Sequence, residues 1–94
     1  MNKYNLTKKS ALITGSSGLL GVEHTIALLE LGATVVMTDV NEKSLVAAYN
    51  SLLNADNKDR LFCKVMDVTS EGNILDVANE LQKDGINIDI LINN

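Results

Sequence analysis

One segment constrains this chain more than any other. It is Thr14-Gly15-Ser16-Ser17-Gly18-Leu19-Leu20-Gly21, a glycine-rich turn between two apolar stretches. Ala11-Leu12-Ile13 before it reads as a short buried strand, and residues 22–31 after it carry apolar side chains at helical spacing. Strand, glycine turn and helix in that order form a phosphate cradle. Glycine lets the backbone come close to a pyrophosphate, and the first-turn N–H groups of the helix point at the anion. The segment therefore predicts dinucleotide binding through Gly15, Ser16, Ser17, Gly18, Leu19, Leu20 and Gly21, with the two serine hydroxyls as added donors. Three glycines at this spacing gain specificity from the flanking strand and helix. Without a ligand, the same residues make a tight strand-to-helix turn.

The alternation continues along the chain. Residues 10–14, 33–38, 61–66 and 88–92 read as strands. Residues 19–31 and 42–53 read as helices, and a third helix opens at Ser70, an N-cap followed by Glu71 in the first turn. Gly32 and Gly85 act as helix stops, and residues 54–59 form a polar loop. The spacing predicts three buried stripes: Val22, Ile26 and Leu29; Leu45, Ala48 and Leu52; and Ile74, Leu75, Ala78 and Leu81. Nearly continuous apolar strands separated by helices predict a parallel sheet covered on both faces. Right-handed crossovers then give an α/β, doubly wound sheet in the order 3-2-1-4. Residues 1–94 read as the N-terminal dinucleotide-binding part of a single Rossmann-type domain. The fourth strand runs out at Asn93-Asn94 with an open apolar edge, which native folds normally cover. The expectation is a piece of a larger fold whose catalytic part follows.

Asp39 ends the second strand, about 20 residues beyond the glycines. A carboxylate there accepts hydrogen bonds from the ribose hydroxyls of the adenosine half and repels a 2′-phosphate. Two like charges about 4 Å apart cost up to roughly 4 kcal/mol at an effective dielectric of 20. That predicts NAD in preference to NADP. A helix-capping role is the alternative for Asp39, but Asn41 can cap the second helix instead.

The net charge of −4 argues against nucleic acid as a partner, and Lys8-Lys9 is the only basic pair. No apolar run approaches the roughly 20 residues of a membrane span, and the first six residues hold no apolar signal core. Cys63 is the only cysteine, so no internal disulfide can form. These features predict a cytoplasmic protein without membrane or nucleic-acid partners. Aromatic content is 3%, low for a complete enzyme with its own pocket, which agrees with a missing C-terminal part.

With these residues in view, the chain resembles the short-chain dehydrogenase/reductase family over nearly its whole length. Three segments carry the resemblance: Thr14 to Gly21, Asp67-Val68-Thr69, and Asp89-Ile90-Leu91-Ile92-Asn93-Asn94. The resemblance implies that Asp67 meets the adenine amino group and that Val68 lies beside the ring. It implies an Asn-Asn-Ala-Gly motif, whose second asparagine and following residues line the adenosine ribose and the sheet centre; Asn93 and Asn94 match its first half and join the cofactor-binding set. Val40, next to Asp39, joins the implied cofactor-binding set. The commonest family form places glycine at position 19, where this chain has Leu19. That glycine spacing resembles the extended branch of nucleotide-sugar epimerases and dehydratases. The other two segments resemble the ordinary dehydrogenases.

The resemblance implies hydride transfer between a nicotinamide cofactor and an alcohol or carbonyl substrate, and a homo-oligomeric full-length protein. It also implies a catalytic serine and a Tyr-x-x-x-Lys pair after the fourth strand, so no catalytic residue is assigned within these 94 residues. Tyr4 and Lys8 have the pair's spacing but precede the first strand. A nucleotide-binding module without catalysis is the reading from a different class, and it suits the isolated chain. A methyltransferase is disfavoured by the last two segments, and a P-loop lacks its Gly-Lys-Ser/Thr. His24 reads as part of a solvated helix face and Cys63 as a small buried hydrophobe. Asp56, Asn57 and Asp59 read as a solvated loop without calcium-site spacing. No metal site is expected.

Overall fold

The structure, a computed structural model, describes residues 5–94. Four strands and three helices alternate: β1 (Ser10–Thr14), α1 (Leu19–Glu30), β2 (Thr34–Asp39), α2 (Glu42–Leu52), β3 (Leu61–Val65), α3 (Glu71–Lys83) and β4 (Ile90–Asn93). All pairings are parallel and the sheet order is β3-β2-β1-β4. This is the doubly wound α/β topology that the alternation predicts. The inner strands β1 and β2 are buried almost throughout, as apolar runs covered on both faces must be.

Side chains alternate between two cores, because successive residues of a strand point to opposite faces. Ala11, Ile13, Val35 and Met37 pack with Leu28, Leu45 and Leu61 on the α1–α2 face. Leu12 and Val36 pack with Met66, Val77 and Leu81 on the α3 face. The second cluster is smaller. Beside it a cavity of about 580 Å³ opens between α3 and the β1–β4 pair, lined by Leu12, Ile74, Ala78 and Leu91 among others.

Two of the predicted stripes differ in rotation. On α1 the buried residues are Gly21, Thr25 and Leu28, with Val22, Ile26 and Leu29 only half-buried at one flank. Thr25 takes the central position because its hydroxyl donates to the Gly21 carbonyl (2.9 Å), which satisfies a polar group inside the interface. On α3 the buried residues are Val77 and Leu81. Ile74, Leu75 and Ala78 are exposed because no described element covers their side of the helix. The α2 stripe holds, with Leu45 buried and Ala48 and Leu52 packed against the core.

Two single residues carry further corrections. Asn57 is buried: its amide donates to the Leu52 carbonyl (2.9 Å) and its Oδ1 accepts from the Asn54 N–H (2.9 Å), so it staples the end of α2. His24 is half-buried, and its Nδ1 is enclosed without a hydrogen-bond partner among the described residues. Cys63 is half-buried in β3, and burial pushes its thiol pKa up. Of the Tyr4–Lys8 pair, Tyr4 lies outside the described residues and Lys8 is exposed.

Candidate functional site

The glycine turn, the end of β2, the loop after β3 and the end of β4 converge at the C-terminal edge of the sheet, where ligands of open α/β folds bind. The three glycines of the turn stand under different constraints. Gly15 sits at φ +58, a conformation that L side chains rarely adopt. Gly21 is a packing glycine: a Cβ there would stand 2.5 Å from Ser16 Cα and 2.6 Å from the Gly15 carbonyl oxygen. Gly18 answers to neither constraint. It is the N-cap of α1 with φ −76 and ψ 167, and a Cβ on it would meet only the Gly15 oxygen, at an ordinary 3.6 Å.

The three helix N-termini differ in the same region. Asn41 caps α2 by accepting from the Ser44 N–H, and Ser70 caps α3 by accepting from the Asn73 N–H. Each of those helices has a glutamate in its first turn, Glu42 and Glu71. α1 has no side-chain cap and no acidic residue in its first turn. Its first N–H groups and the positive end of its dipole therefore remain available to an anion. Leu19 and Leu20, at the start of α1, are both exposed.

The two serines of the turn behave differently. Ser16 is fully buried, and its hydroxyl and its N–H both donate to the Thr38 carbonyl (2.9 and 3.0 Å). Ser17 is half-buried and donates its hydroxyl (2.6 Å) and its N–H (3.2 Å) to Asp39 Oδ2. The other carboxylate oxygen, Asp39 Oδ1, accepts from the Asn41 N–H (3.2 Å). Burial pushes the Asp39 pKa up, but hydrogen bonds from Ser17, Asn41 and Val40 outweigh it and hold the carboxyl below the usual aspartate value. Val40 beside it is exposed.

After β3, Asp67 Oδ1 accepts from the Thr69 hydroxyl (2.6 Å) and N–H (2.9 Å), and these bonds lower its pKa. Val68 at the tip of this loop is exposed. At the end of β4, Asn93 Oδ1 accepts from the Thr14 hydroxyl (2.7 Å). The Asn94 N–H donates to that hydroxyl oxygen (3.1 Å), and its amide donates to the Thr14 carbonyl (3.0 Å). Asn94 also stands beside Gly15: a Cβ there would lie 3.4 Å from its carbonyl oxygen.

The predicted residues therefore lie along one edge of the sheet, in three linked groups. Two residues to which the sequence reading gave no role of their own hold these groups in place. Thr14 fastens the turn to the end of β4. Asn73 Oδ1 accepts from the Asp67 N–H (2.6 Å) and fixes the loop after β3 to α3. Both use short polar side chains at strand or helix ends, and their partners become visible only once the elements are placed.

A doubly wound parallel sheet with a glycine turn between β1 and α1 defines a Rossmann-type α/β fold. The family comparison narrows this class. The short chain dehydrogenase profile matches residues 9–94, and the chain belongs to that family of oxidoreductases. It is 32% identical over 90 residues to a short chain dehydrogenase/reductase of Gibberella zeae, covering 96% of this chain and 32% of that protein. It is 33% identical over 91 residues to the gluconate 5-dehydrogenase of Gluconobacter oxydans, covering 97% of this chain and 35% of that protein. Among solved structures, the menthone neomenthol reductase of Mentha piperita superposes with a TM-score of 0.86 at 26% identity, over 94% of this chain and 31% of that one. An NAD+-bound xylitol dehydrogenase superposes with a TM-score of 0.78 at 28% identity, over 96% and 33%. The chain spans about a third of the length of the curated relatives it matches.

Proposed function

We propose that this chain is the cofactor-binding part of an NAD-dependent short-chain oxidoreductase acting on an alcohol or carbonyl of a small molecule. The observation that carries the reading is Gly18. Neither backbone conformation nor internal packing asks for glycine there, yet glycine stands at the uncapped N-terminus of α1. Glycine is one of several residues suited to an N-cap; without a side chain this exposed position admits an external group close to the backbone, and the free N–H groups beside it suit an anion.

A nicotinamide dinucleotide fits these residues. Gly15, Gly18 and the first N–H groups of α1, from Leu19 to Gly21, would hold the pyrophosphate, with Ser17 at its side. Asp39 would accept a ribose hydroxyl, and Val40, Asp67 and Val68 would border the adenine. Asn93 and Asn94 would line the centre of the sheet edge. When bound, the cofactor supplies hydride transfer, and the chain binds and orients it. Ser16 takes a supporting part, holding the turn on Thr38. The preference for NAD rests on Asp39, whose hydrogen bonds favour its ionised form and whose charge would oppose a 2′-phosphate bound there. The catalytic serine and Tyr-x-x-x-Lys and the homo-oligomer rest on the family resemblance alone, and the cytoplasmic location rests on the charge, the cysteine usage and the N-terminal composition of the sequence. The epimerase or dehydratase reading gains no support from the relatives described above, whose names are dehydrogenases and reductases.

Calorimetric titration with NADH and NADPH tests this. The unmodified protein should prefer NADH by at least about tenfold, and Asp39→Ala should erase the preference, since one lost charge–charge term is of order 1.4 kcal/mol or more. Equal affinities in the unmodified protein would remove the NAD assignment, and failure to bind either would remove the dinucleotide. The pH dependence has a defined sign. The Asp39 pKa is lowered on folding, so its ionised form, and the stability it contributes, is fully present above the unfolded value of about 3.9. Both are lost as pH falls through the lower folded value. The Asp39 charge should therefore stay constant from pH 8 to about pH 5, and the preference should weaken in that window only as the 2′-phosphate of NADPH takes up its second proton at about pH 6.

A further inference from the structure

We infer that Ser17 is a positioning residue for cofactor selection: it locks the Asp39 carboxylate onto the phosphate-binding turn, so that one oxygen is committed to the turn and the other meets the adenosine ribose. The inference rests on the NAD reading and adds a residue to it. Both donors of Ser17 converge on a single oxygen, Asp39 Oδ2, across 22 residues of sequence. An ionised carboxylate oxygen offers about two acceptor sites, so the N–H and O–H of Ser17 fill Oδ2. Oδ1 points the other way, to the Asn41 N–H at the start of α2. The carboxylate is held from both sides and cannot turn about its own axis without breaking a charge-assisted hydrogen bond.

The neighbouring serine shows that holding the turn is a separate task. Ser16 already ties the turn to β2 through its N–H and hydroxyl to the Thr38 carbonyl, and it is fully buried. Ser17 adds nothing to that backbone staple. Its hydroxyl fixes a charge. A mobile carboxylate would relax away from an incoming 2′-phosphate and would also meet a ribose hydroxyl less often. A fixed one penalises the phosphate and favours the hydroxyl together. Ser17 therefore converts a surface aspartate into a selective one.

Ser17→Ala and Ser17→Thr separate this role from folding. In Ser17→Ala the NADH-over-NADPH preference should shrink by roughly tenfold, the scale of one charge-assisted hydrogen bond. NADH should weaken and NADPH should tighten. Ser17→Thr retains a hydroxyl and should restore the preference. A cofactor-free readout accompanies these titrations. The Asp39 carboxyl carbon, followed by 13C NMR, should titrate at higher pH in Ser17→Ala and return towards the original value in Ser17→Thr. Ser17→Ala with an unchanged preference and an unchanged Asp39 titration overturns the inference, even if Asp39→Ala has lost the preference and the NAD reading stands. An unmodified protein without preference for NADH overturns that reading and this inference with it.

Discussion

At the scale of single residues, the glycines make the sharpest statement, because the three positions of one turn stand under different constraints. Gly21→Ala should damage the fold itself. Its Cβ would press on the Ser16 backbone at 2.5 Å, and backbone cannot move aside as a side chain tip can. Overpacking of this kind costs about 1–3 kcal/mol or more, which in a chain of this size lowers Tm by roughly 5–20 °C. Gly18→Ala should leave Tm within about 5 °C, since only a weaker N-cap preference is lost. It should still weaken dinucleotide binding by at least about tenfold, because its methyl group enters the approach to the helix N-terminus. Thermal melts by circular dichroism and calorimetric titration of the same samples separate the two effects. A Gly18→Ala protein that binds normally would mean that the phosphates lie elsewhere. Gly15 offers no such separation: at φ +58 any side chain strains the backbone, so a valine there perturbs folding and binding together.

At the scale of elements, helix ends decide how firmly the site loops are held. Ser70 caps α3, and Asn73, three residues on, reaches back to the Asp67 N–H. Ser70→Ala should cost about 1 kcal/mol, the usual value of a lost N-cap. Asn73→Ala removes an acceptor from the Asp67 backbone, and its main effect should be faster amide exchange at residues 67–69, measurable by NMR. Unchanged exchange there would mean that the loop holds itself through the Asp67–Thr69 bonds. This network also marks what the sequence could reveal. The elements and their order were legible, because apolar periodicity and glycine stops are local signals. The rotation of α1 was not, because Thr25 counts as polar by type yet satisfies its hydroxyl within its own helix. The inward turn of Ser16 and the stapling of Asp39 by Ser17 were hidden for a different reason. Both depend on β1 and β2 lying side by side, a contact 22 residues long in sequence. The candidate site was thus readable as a set of residue types at strand ends, while its internal hydrogen bonds needed the fold.

At the scale of the whole molecule, the two faces of the sheet are unequally covered. Among the described residues, α1 and α2 close one face over the larger core, and α3 is the helix on the other. The consequence is the cavity of about 580 Å³ beside β4, with Leu91 65% exposed and Ile74, Leu75 and Ile88 also open to solvent. β4 is fastened to β1 by the Asp89 carboxylate, which accepts from the Ser10 N–H, and by Thr14 with Asn93 at the other end. Its remaining edge pairs with no strand among the described residues. An apolar edge next to an open apolar cavity is a surface that water disfavours and another strand can extend. The 94-residue polypeptide produced alone should therefore bind a hydrophobic dye such as ANS, associate as its concentration rises, and melt below about 65 °C, the upper end of the mesophile range. Leu91→Lys should reduce dye binding and association, because an edge-strand lysine opposes strand addition while its stem still covers apolar surface. Sedimentation velocity over a hundredfold concentration range reads this directly. A monomer at every concentration, without dye binding and with a cooperative melt above that temperature, would show that α3 alone suffices to close its face.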